Sequence, residues 1–485
     1  MALSRQSVGL YLGPSVLIAG LLIGPPAGLE SSEWAVALVA ILMATWWISE
    51  ALPLAATALV PIVLFPALDV LAPGDVTRAY GNDLIYLFLG GFLIAVTMQR
   101  WNLHRRIALH TINLVGTDPR RMILGFMLAT AVLSMWISNT ATAMMMLPIA
   151  MAVLQQSRED ADRAGETLSG GFGVALMLGI AYSASIGGVA TLIGTPPNAV
   201  LAGMANELYG IEISFAAWMA FGLPLSVIML VIAWGYLAFG RHGRDLASLP
   251  GGRDLVRREL QEIGSIGVAE RRVLIVFVTV ALAWVFRGFL PEGALNQVND
   301  SSIAIAGALV LFLLSAGDGS GERLLNWKTA VTIPWDIVLL FGGGFALAAG
   351  FTESGLSQTM ATGLEGLAGV PVLLMIAACV ALVVFLTEVT SNTATATLFV
   401  PLMGALAVAI GFHPLALMAA VAVAASCAFM LPVATPPNAV VFGSRAVTVP
   451  QMARAGLLLN VVTIVLTTAF IYWVLPIVMG ISLQG

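Results

Sequence analysis

Charge is what this sequence has least of. Asp, Glu, Lys and Arg make up 10% of its 485 residues, against about 25% in a soluble domain. So few charges cannot cover a soluble surface of that size, which excludes a soluble globular enzyme. Disorder is excluded as well, because it needs low hydrophobicity and high charge, and this chain is 59% apolar with a mean hydropathy of +0.97. Cysteine is scarce. Cys379 and Cys427 both lie in apolar runs and read as small buried hydrophobes, not as a disulfide framework. The four histidines, His104, His110, His242 and His413, show no HxxxH or HExxH spacing, so a metalloprotease has no support. The net charge of −5 argues against nucleic acid as a partner.

What is present is a series of apolar runs with short breaks, the pattern of an all-α polytopic membrane protein. A crossing helix needs roughly 20 apolar residues. Residues 8–27 read as a retained first helix, because no small-residue cleavage site follows it convincingly. Residues 34–48 and 55–71 read as ordinary spans. A fourth begins at 84–97, breaks near Arg100 and resumes to about 114. Runs 121–154 and 371–410 read as re-entrant hairpins interrupted by polar tips, and 172–208 and 415–445 as broken helices, the latter with an apolar run from 415 to 431 before its break. Residues 215–239 form a long span, and 273–290, 303–314, 337–350 and 457–478 complete the set. The charged, amphipathic stretch 250–270 suits the membrane surface. With the N-terminus in the cytoplasm, nineteen of the 21 basic residues fall inside, and only Arg78 and Arg287 fall outside. That is the asymmetry expected of cytoplasmic loops. The expected topology is about eleven transmembrane helices with the C-terminus outside.

The most specific signal is an internal repeat. Ser138-Asn139-Thr140-Ala141-Thr142-Ala143 recurs 253 positions later as Ser391-Asn392-Thr393-Ala394-Thr395-Ala396. Gly91-Phe92 and Asp83 recur at that offset as Gly344-Phe345 and Asp336. Thr195-Pro196-Pro197-Asn198-Ala199-Val200 recurs 240 positions later as Thr435-Pro436-Pro437-Asn438-Ala439-Val440. The expected topology opens the first hairpin inside and the second outside, so the halves read as an inverted repeat, a common build for secondary transporters. The expected division is an N-terminal helix at 1–33, a first repeat at 34–240, a cytoplasmic amphipathic connector at 241–272 and a second repeat at 273–485.

Lipid tolerates non-helical backbone only where protein or a water-filled cavity surrounds it. Two Ser-Asn-Thr tips between apolar arms therefore mark hairpins meeting near mid-membrane. The residue after each tip starts a helix, whose free N–H groups and positive dipole end attract anions. The same side chains carry oxygens that a hard cation accepts. Thr-Pro-Pro-Asn breaks a helix likewise, and its first proline suits a helix start. The bland alternative is that Ser and Thr simply join helices, which fits a lone Ser better than two duplicated motifs. No Lys or Arg lies in sequence at any of the four breaks. A dianion there would be held by neutral dipoles and a co-bound cation, and linkage makes such coupling reciprocal.

These paired motifs, in this order, resemble the divalent anion/sodium symporter family of dicarboxylate, citrate and sulfate carriers, from about Trp34 to Leu475. The resemblance implies a homodimer, each protomer with a scaffold domain and a mobile transport domain moving by an elevator mechanism. It implies a substrate site of Ser138, Asn139, Thr140, Ser391, Asn392 and Thr393, assisted by Thr195, Thr435 and Pro436. It implies one sodium site of Ser134, Ser138, Asn139 and Gly194, and a second of Thr387, Thr390, Asn392 and Ala434. Gly194 and Ala434 would act through backbone carbonyls. Sodium would be the coupling ion, with no organic cofactor. The implied home is the lipid bilayer of a bacterial inner membrane.

Other residues have structural readings. Glu388, a carboxylate inside the second hairpin, reads as a hydrogen-bond acceptor for hairpin backbone, with proton coupling as the functional alternative. Asp83 and Asp336 suit helix N-termini, and Glu50 reads as reaching the interface. The leading function is sodium-coupled import of a divalent anion, most simply a C4-dicarboxylate such as succinate, malate or fumarate. The alternatives are a sodium-independent dicarboxylate exchanger and a sulfate or citrate carrier of the same fold. An intramembrane enzyme is disfavoured, because no nucleophile–base pair or metal cluster stands among the embedded polar groups. A channel suits two broken-helix repeats less well than alternating access does.

Overall fold

The computed structural model describes residues 4–116, 118–163, 170–240, 252–287, 298–363 and 369–484. Helices carry most of them, and β pairing among the described residues is confined to two isolated bridges, Ser315 with Arg323 and Phe412 with Gln484. Eight helical segments are long and apolar enough to cross a membrane: Arg5–Ile23, Ser31–Ser49, Pro73–Arg100, Gly170–Val189, Phe215–Phe239, Trp335–Glu353, Asn392–Ala409 and Val449–Trp473. Shorter apolar helices include Asp300–Leu313, Val372–Thr387 and Pro414–Ala425. The chain is an all-α polytopic membrane protein. The physical reason is that hydrocarbon offers backbone groups no partner, so each segment pairs its own.

Two expected spans differ in detail, and the fourth breaks just after Arg100 as expected. Residues 55–71 form two short helices, Leu54–Thr57 and Val60–Ala67, because Pro61 and Pro66 remove backbone donors from the run. The fourth span is two helices, Asp83–Arg100 and Leu103–Val115, with Asn102 between them in the left-handed region at φ 56°. The run expected to reach Leu431 stops being helical at Ala425, six residues early. The first part of the expected connector, 241–251, lies outside the described residues, and its remainder contains the helix Gly252–Ile263. That helix is clasped to the neighbouring surface helix by Arg105 on Glu259. Nearby, Arg106 grips Glu270 through two bonds of 2.6 and 2.9 Å.

Two helices lie at the centre. Every residue from Phe172 to Val189 is buried, and so is every residue from Leu415 to Ala425. A helix apolar on all sides belongs in an interior. The first helix is the opposite case: only Gly9, Gly13 and Gly20 are buried, and they let it lie close against Ser31–Ser49 while its other faces show Leu and Ile. Small residues do this work between membrane helices, where lipid removes any hydrophobic preference.

The tightest approach holding the first hairpin is at Gly187. A methyl group there would sit 2.3 Å from the Ala131 carbonyl oxygen on the arm Pro119–Ser134. We expect Gly187→Ala to force the two helices apart and cost about 1–3 kcal/mol. The check is the thermal unfolding midpoint in detergent micelles. Gly235→Ala, which points into open space, should leave that midpoint unchanged.

Candidate functional site

Each hairpin turns within a few residues. The arm Pro119–Ser134 is followed by Asn139–Arg163, and Val372–Thr387 by Asn392–Ala409. The tip serines start the second arms: Ser138 Oγ accepts from Ala141 N at 3.3 Å, and Ser391 Oγ from Ala394 N at 3.5 Å. Asn139, Thr140, Asn392 and Thr393 therefore sit in the first turns of helices, half-buried, where unpaired N–H groups and the dipole favour an anion. Thr-Pro-Pro-Asn likewise begins the helices Pro196–Tyr209 and Pro436–Gly443. The four starts interlock: Asn139–Arg163 packs on Pro436–Gly443, and Asn392–Ala409 packs on Pro196–Tyr209.

Behind the first tip, oxygens converge. The Ser134 hydroxyl, fully buried, bonds the Ala184 carbonyl at 2.7 Å and the Asn139 amide at 2.6 Å. The same Asn139 amide atom lies 3.1 Å from the Ala184 carbonyl and 3.2 Å from the Gly194 carbonyl. Turned one way, Asn139 donates its NH2 into this group. Turned the other way, its oxygen joins Ser134 Oγ and two carbonyls in an all-oxygen set, the ligand type of a hard cation. Gly188 leaves room for the arrangement, since a methyl there would meet Asn139 at 2.7 Å and the Gly194 carbonyl at 3.1 Å.

The second tip repeats the pattern in part. Thr387 Oγ1 bonds Asn392 Oδ1 at 2.7 Å and the Ala425 carbonyl at 3.1 Å. Thr387, Asn392 and Ala425 thus answer to Ser134, Asn139 and Ala184. The Thr390 hydroxyl is taken up by the Leu386 carbonyl and Thr395 Oγ1, at 2.8 and 2.7 Å, which leaves its backbone for any ion. Ala434 is buried at the break, its N–H on the Leu431 carbonyl at 3.2 Å.

The breaks themselves are tied by asparagines. Asn198 Nδ2 faces the carbonyls of Gly188, Val189 and Thr191 at 3.2, 3.3 and 2.8 Å. Asn438 Nδ2 faces those of Ala428 and Leu431 at 3.3 and 3.0 Å. The threonines differ. Thr435 Oγ1 caps its own helix at Asn438 N, 3.2 Å, whereas Thr195 Oγ1 faces Ser426 Oγ at 3.5 Å, a contact between the two halves. Pro436 is exposed and Pro196 half-buried.

Glu388 is almost fully buried. Its carboxylate accepts from the backbone N–H groups of Phe429, Met430 and Leu431 at 2.8, 2.9 and 3.0 Å, and from Asn460 Nδ2 at 2.8 Å. The expectation of an acceptor for backbone holds, but the backbone belongs to the second broken helix and not to the hairpin. A cation also reaches the second tip from far away in sequence. Arg5 donates to the carbonyls of Ile48 and Val389, the latter at 3.3 Å. Neither Arg5 nor the Ala184 and Ala425 carbonyls was marked by the motifs.

The chain matches the family described as "Sodium:sulfate symporter transmembrane region" over residues 6–480. The chain belongs to that family. It is 44% identical over 482 residues to a protein named "Sodium-dependent dicarboxylate transporter SdcS" from Staphylococcus saprophyticus, covering 98% of this chain and 93% of that one. It is 44% identical over 483 residues to the protein of the same name from Staphylococcus aureus strain USA300, covering 99% and 93%. Among solved structures it is similar to the Alcanivorax borkumensis YdaH transporter, with TM-score 0.58, 14% identity and coverage of 94% of this chain and 100% of that one. Neisseria gonorrhoeae MtrF gives TM-score 0.57, 14% identity and coverage of 94% and 97%. These two likenesses concern the fold alone. Membership of a family of membrane transporters places the chain outside enzymes, as the embedded polar groups suggested.

The asparagine ties give a direct expectation. Asn198→Ala and Asn438→Ala each leave buried carbonyls without a donor, at about 1–3 kcal/mol. Both should lower the thermal midpoint in detergent. Asn198→Ala, which withdraws the donor facing three carbonyls, should lower it more.

Proposed function

We propose that the protein imports C4-dicarboxylates such as succinate, malate and fumarate, coupled to sodium. The observation that carries this reading is the duplicated cluster behind the two tips: Ser134, Asn139 and the Ala184 and Gly194 carbonyls, and again Thr387, Asn392 and the Ala425 carbonyl. Each cluster is rich in oxygen and lies beside a helix start. The relatives named sodium-dependent dicarboxylate transporters support the same substrate and ion.

In this reading, two sodium ions occupy the clusters, with Ser138, Thr390 and Ala434 completing the sets. The dianion lies between the tips on Ser138, Asn139, Thr140, Ser391, Asn392 and Thr393, with Thr195, Thr435 and Pro436 at its edge. Sodium creates the positive potential that a dicarboxylate needs in a low-dielectric site. The dicarboxylate in turn holds sodium, so neither binds well alone. Both tips serve one anion, so they travel as one body. The hairpins and broken helices form the moving domain of an elevator, and the early spans form a static scaffold and homodimer surface. The N-terminus is cytoplasmic, the C-terminus outside, and the membrane is the bacterial inner membrane.

The test is uptake of radiolabelled succinate into proteoliposomes with and without a sodium gradient, competed by malate, citrate and sulfate. The reading requires sodium-dependent uptake that malate inhibits best. Full uptake in sodium-free buffer makes the protein an exchanger, and stronger competition by sulfate or citrate changes the substrate. Within that assay, Ser134→Ala and Thr387→Ala should raise the sodium concentration for half-maximal uptake roughly 5- to 150-fold, since each removes one ligand oxygen worth about 1–3 kcal/mol. Asn139→Ala and Asn392→Ala should nearly abolish uptake, because each serves both an ion and the anion. Wild-type sodium dependence in the first pair would remove the ion sites.

A further inference from the structure

The first helix, Arg5–Ile23, buries only its three glycines, so its contact with Ser31–Ser49 is narrow. Beside that contact the two helices part. Val8 and Leu12 on one side, and Ile41, Ala44 and Ile48 on the other, line a cavity of about 500 Å³ with Arg5 at its end. The spacing makes the groove, since residues three and four apart share a helix face. Val8, Leu12, Ile41 and Ile48 remain 40–51% exposed. Ser49, also in the lining, turns its hydroxyl into its own helix, onto the Thr45 carbonyl at 2.5 Å. The groove is therefore an apolar trough, and from Arg5 to Leu12 it runs about 10 Å along the helix, room for the upper part of an acyl chain.

One cation closes the end of the trough. Arg5 opens the first apolar helix, the level at which lipid headgroups begin. A long basic side chain at a helix end ordinarily extends away to water. Arg5 folds back instead, and its Nη2 donates to the carbonyls of Ile48 and Val389, the latter at 3.3 Å. Two of the five guanidinium donors are spent in this way. The three on Nε and Nη1 take no partner among the described residues. Nor does Arg5 form an ion pair among them: Glu50, two residues past Ile48, does not pair with it. A guanidinium with free donors suits a phosphate, and the trough beside it suits a hydrocarbon chain. A peptide would bring unpaired backbone groups to a surface that faces lipid. A zwitterionic lipid has the phosphate but no net charge to balance the arginine, whereas an anionic lipid has both.

We infer that the groove between Arg5–Ile23 and Ser31–Ser49 is a binding site for one anionic phospholipid. Its acyl chain lies along Val8, Leu12, Ile41 and Ile48, and its phosphate takes the free Nε and Nη1 donors of Arg5. The same guanidinium holds the carbonyl of Val389, between Glu388 and Thr390 at the second hairpin tip. A bound phosphate therefore fixes the group that ties the first helix to that tip. The lipid site stands whether or not the protein carries dicarboxylates.

The experiment titrates the purified full chain in detergent with phosphatidylglycerol and, separately, with phosphatidylcholine of the same acyl chains. Native mass spectrometry reads the first lipid bound. Wild type should bind phosphatidylglycerol more tightly by about fivefold or more, the worth of one arginine beside an anionic lipid. Arg5→Gln should erase that preference, and Arg5→Lys should keep it in part. Ala44→Phe, which fills the groove from the second helix, should weaken both lipids alike. Ile41→Trp fills it from the rim and serves if Ala44→Phe does not fold. Leu22→Ala, at the exposed far end of the first helix, should change neither affinity. Equal affinity of wild type for the two lipids would overturn the site, as would a preference that survives Arg5→Gln. Undiminished binding in the groove-filling variants would overturn it too, leaving Arg5 as a bare surface charge.

Discussion

Everything at the centre of this protein follows from one constraint: backbone that leaves the helix inside an apolar interior must find partners within the protein. The chain breaks two central helices, at Ala190–Thr195 and at Ser426–Thr435. Asn198 and Asn438 each place one NH2 among the carbonyls freed by those breaks. The second break is longer and exposes donors as well. There Glu388 accepts three consecutive N–H groups. At the position 253 earlier the chain has Met135, whose carbonyl takes the Thr191 hydroxyl at 2.6 Å. The two halves therefore solve the same problem with different chemistry.

Beside the breaks stand the groups that make the candidate site. The carbonyls of Ala184 and Ala425 accept from Ser134 and Thr387, one turn before the tips, and each of these hydroxyls also holds its tip asparagine. Each tip is thereby docked on a broken helix of its own half, while the following arms pack across onto the broken helices of the other half. A site assembled from both halves is shielded from lipid by the very elements that build it. An ion that bound there would draw on dipoles already in place, so little reorganisation would accompany binding.

Much of this was legible in the residues. Duplicated Ser-Asn-Thr and Thr-Pro-Pro-Asn located both tips and both breaks to within a few positions, because serine caps, proline starts and short polar gaps have local causes. Ser134 and Thr387 followed from the family resemblance, and they do meet Asn139 and Asn392. The misses have physical reasons. Backbone carbonyls carry no side-chain signature, so Ala184 and Ala425 were invisible. The apolar run through Leu431 concealed an early helix end, since composition does not register a carboxylate arriving from another segment. Arg5 reaches Val389 across 384 positions, a contact no local pattern encodes.

The central claim is that sodium and the dicarboxylate share one site energetically. The direct measurement is equilibrium binding of succinate to the purified protein across a sodium series at constant ionic strength, with sodium binding measured reciprocally across a succinate series. The account predicts that succinate affinity climbs steeply with sodium, that sodium affinity climbs by the same factor with succinate, and that succinate binds negligibly in choline alone. A succinate affinity that stays constant from zero to saturating sodium would contradict it.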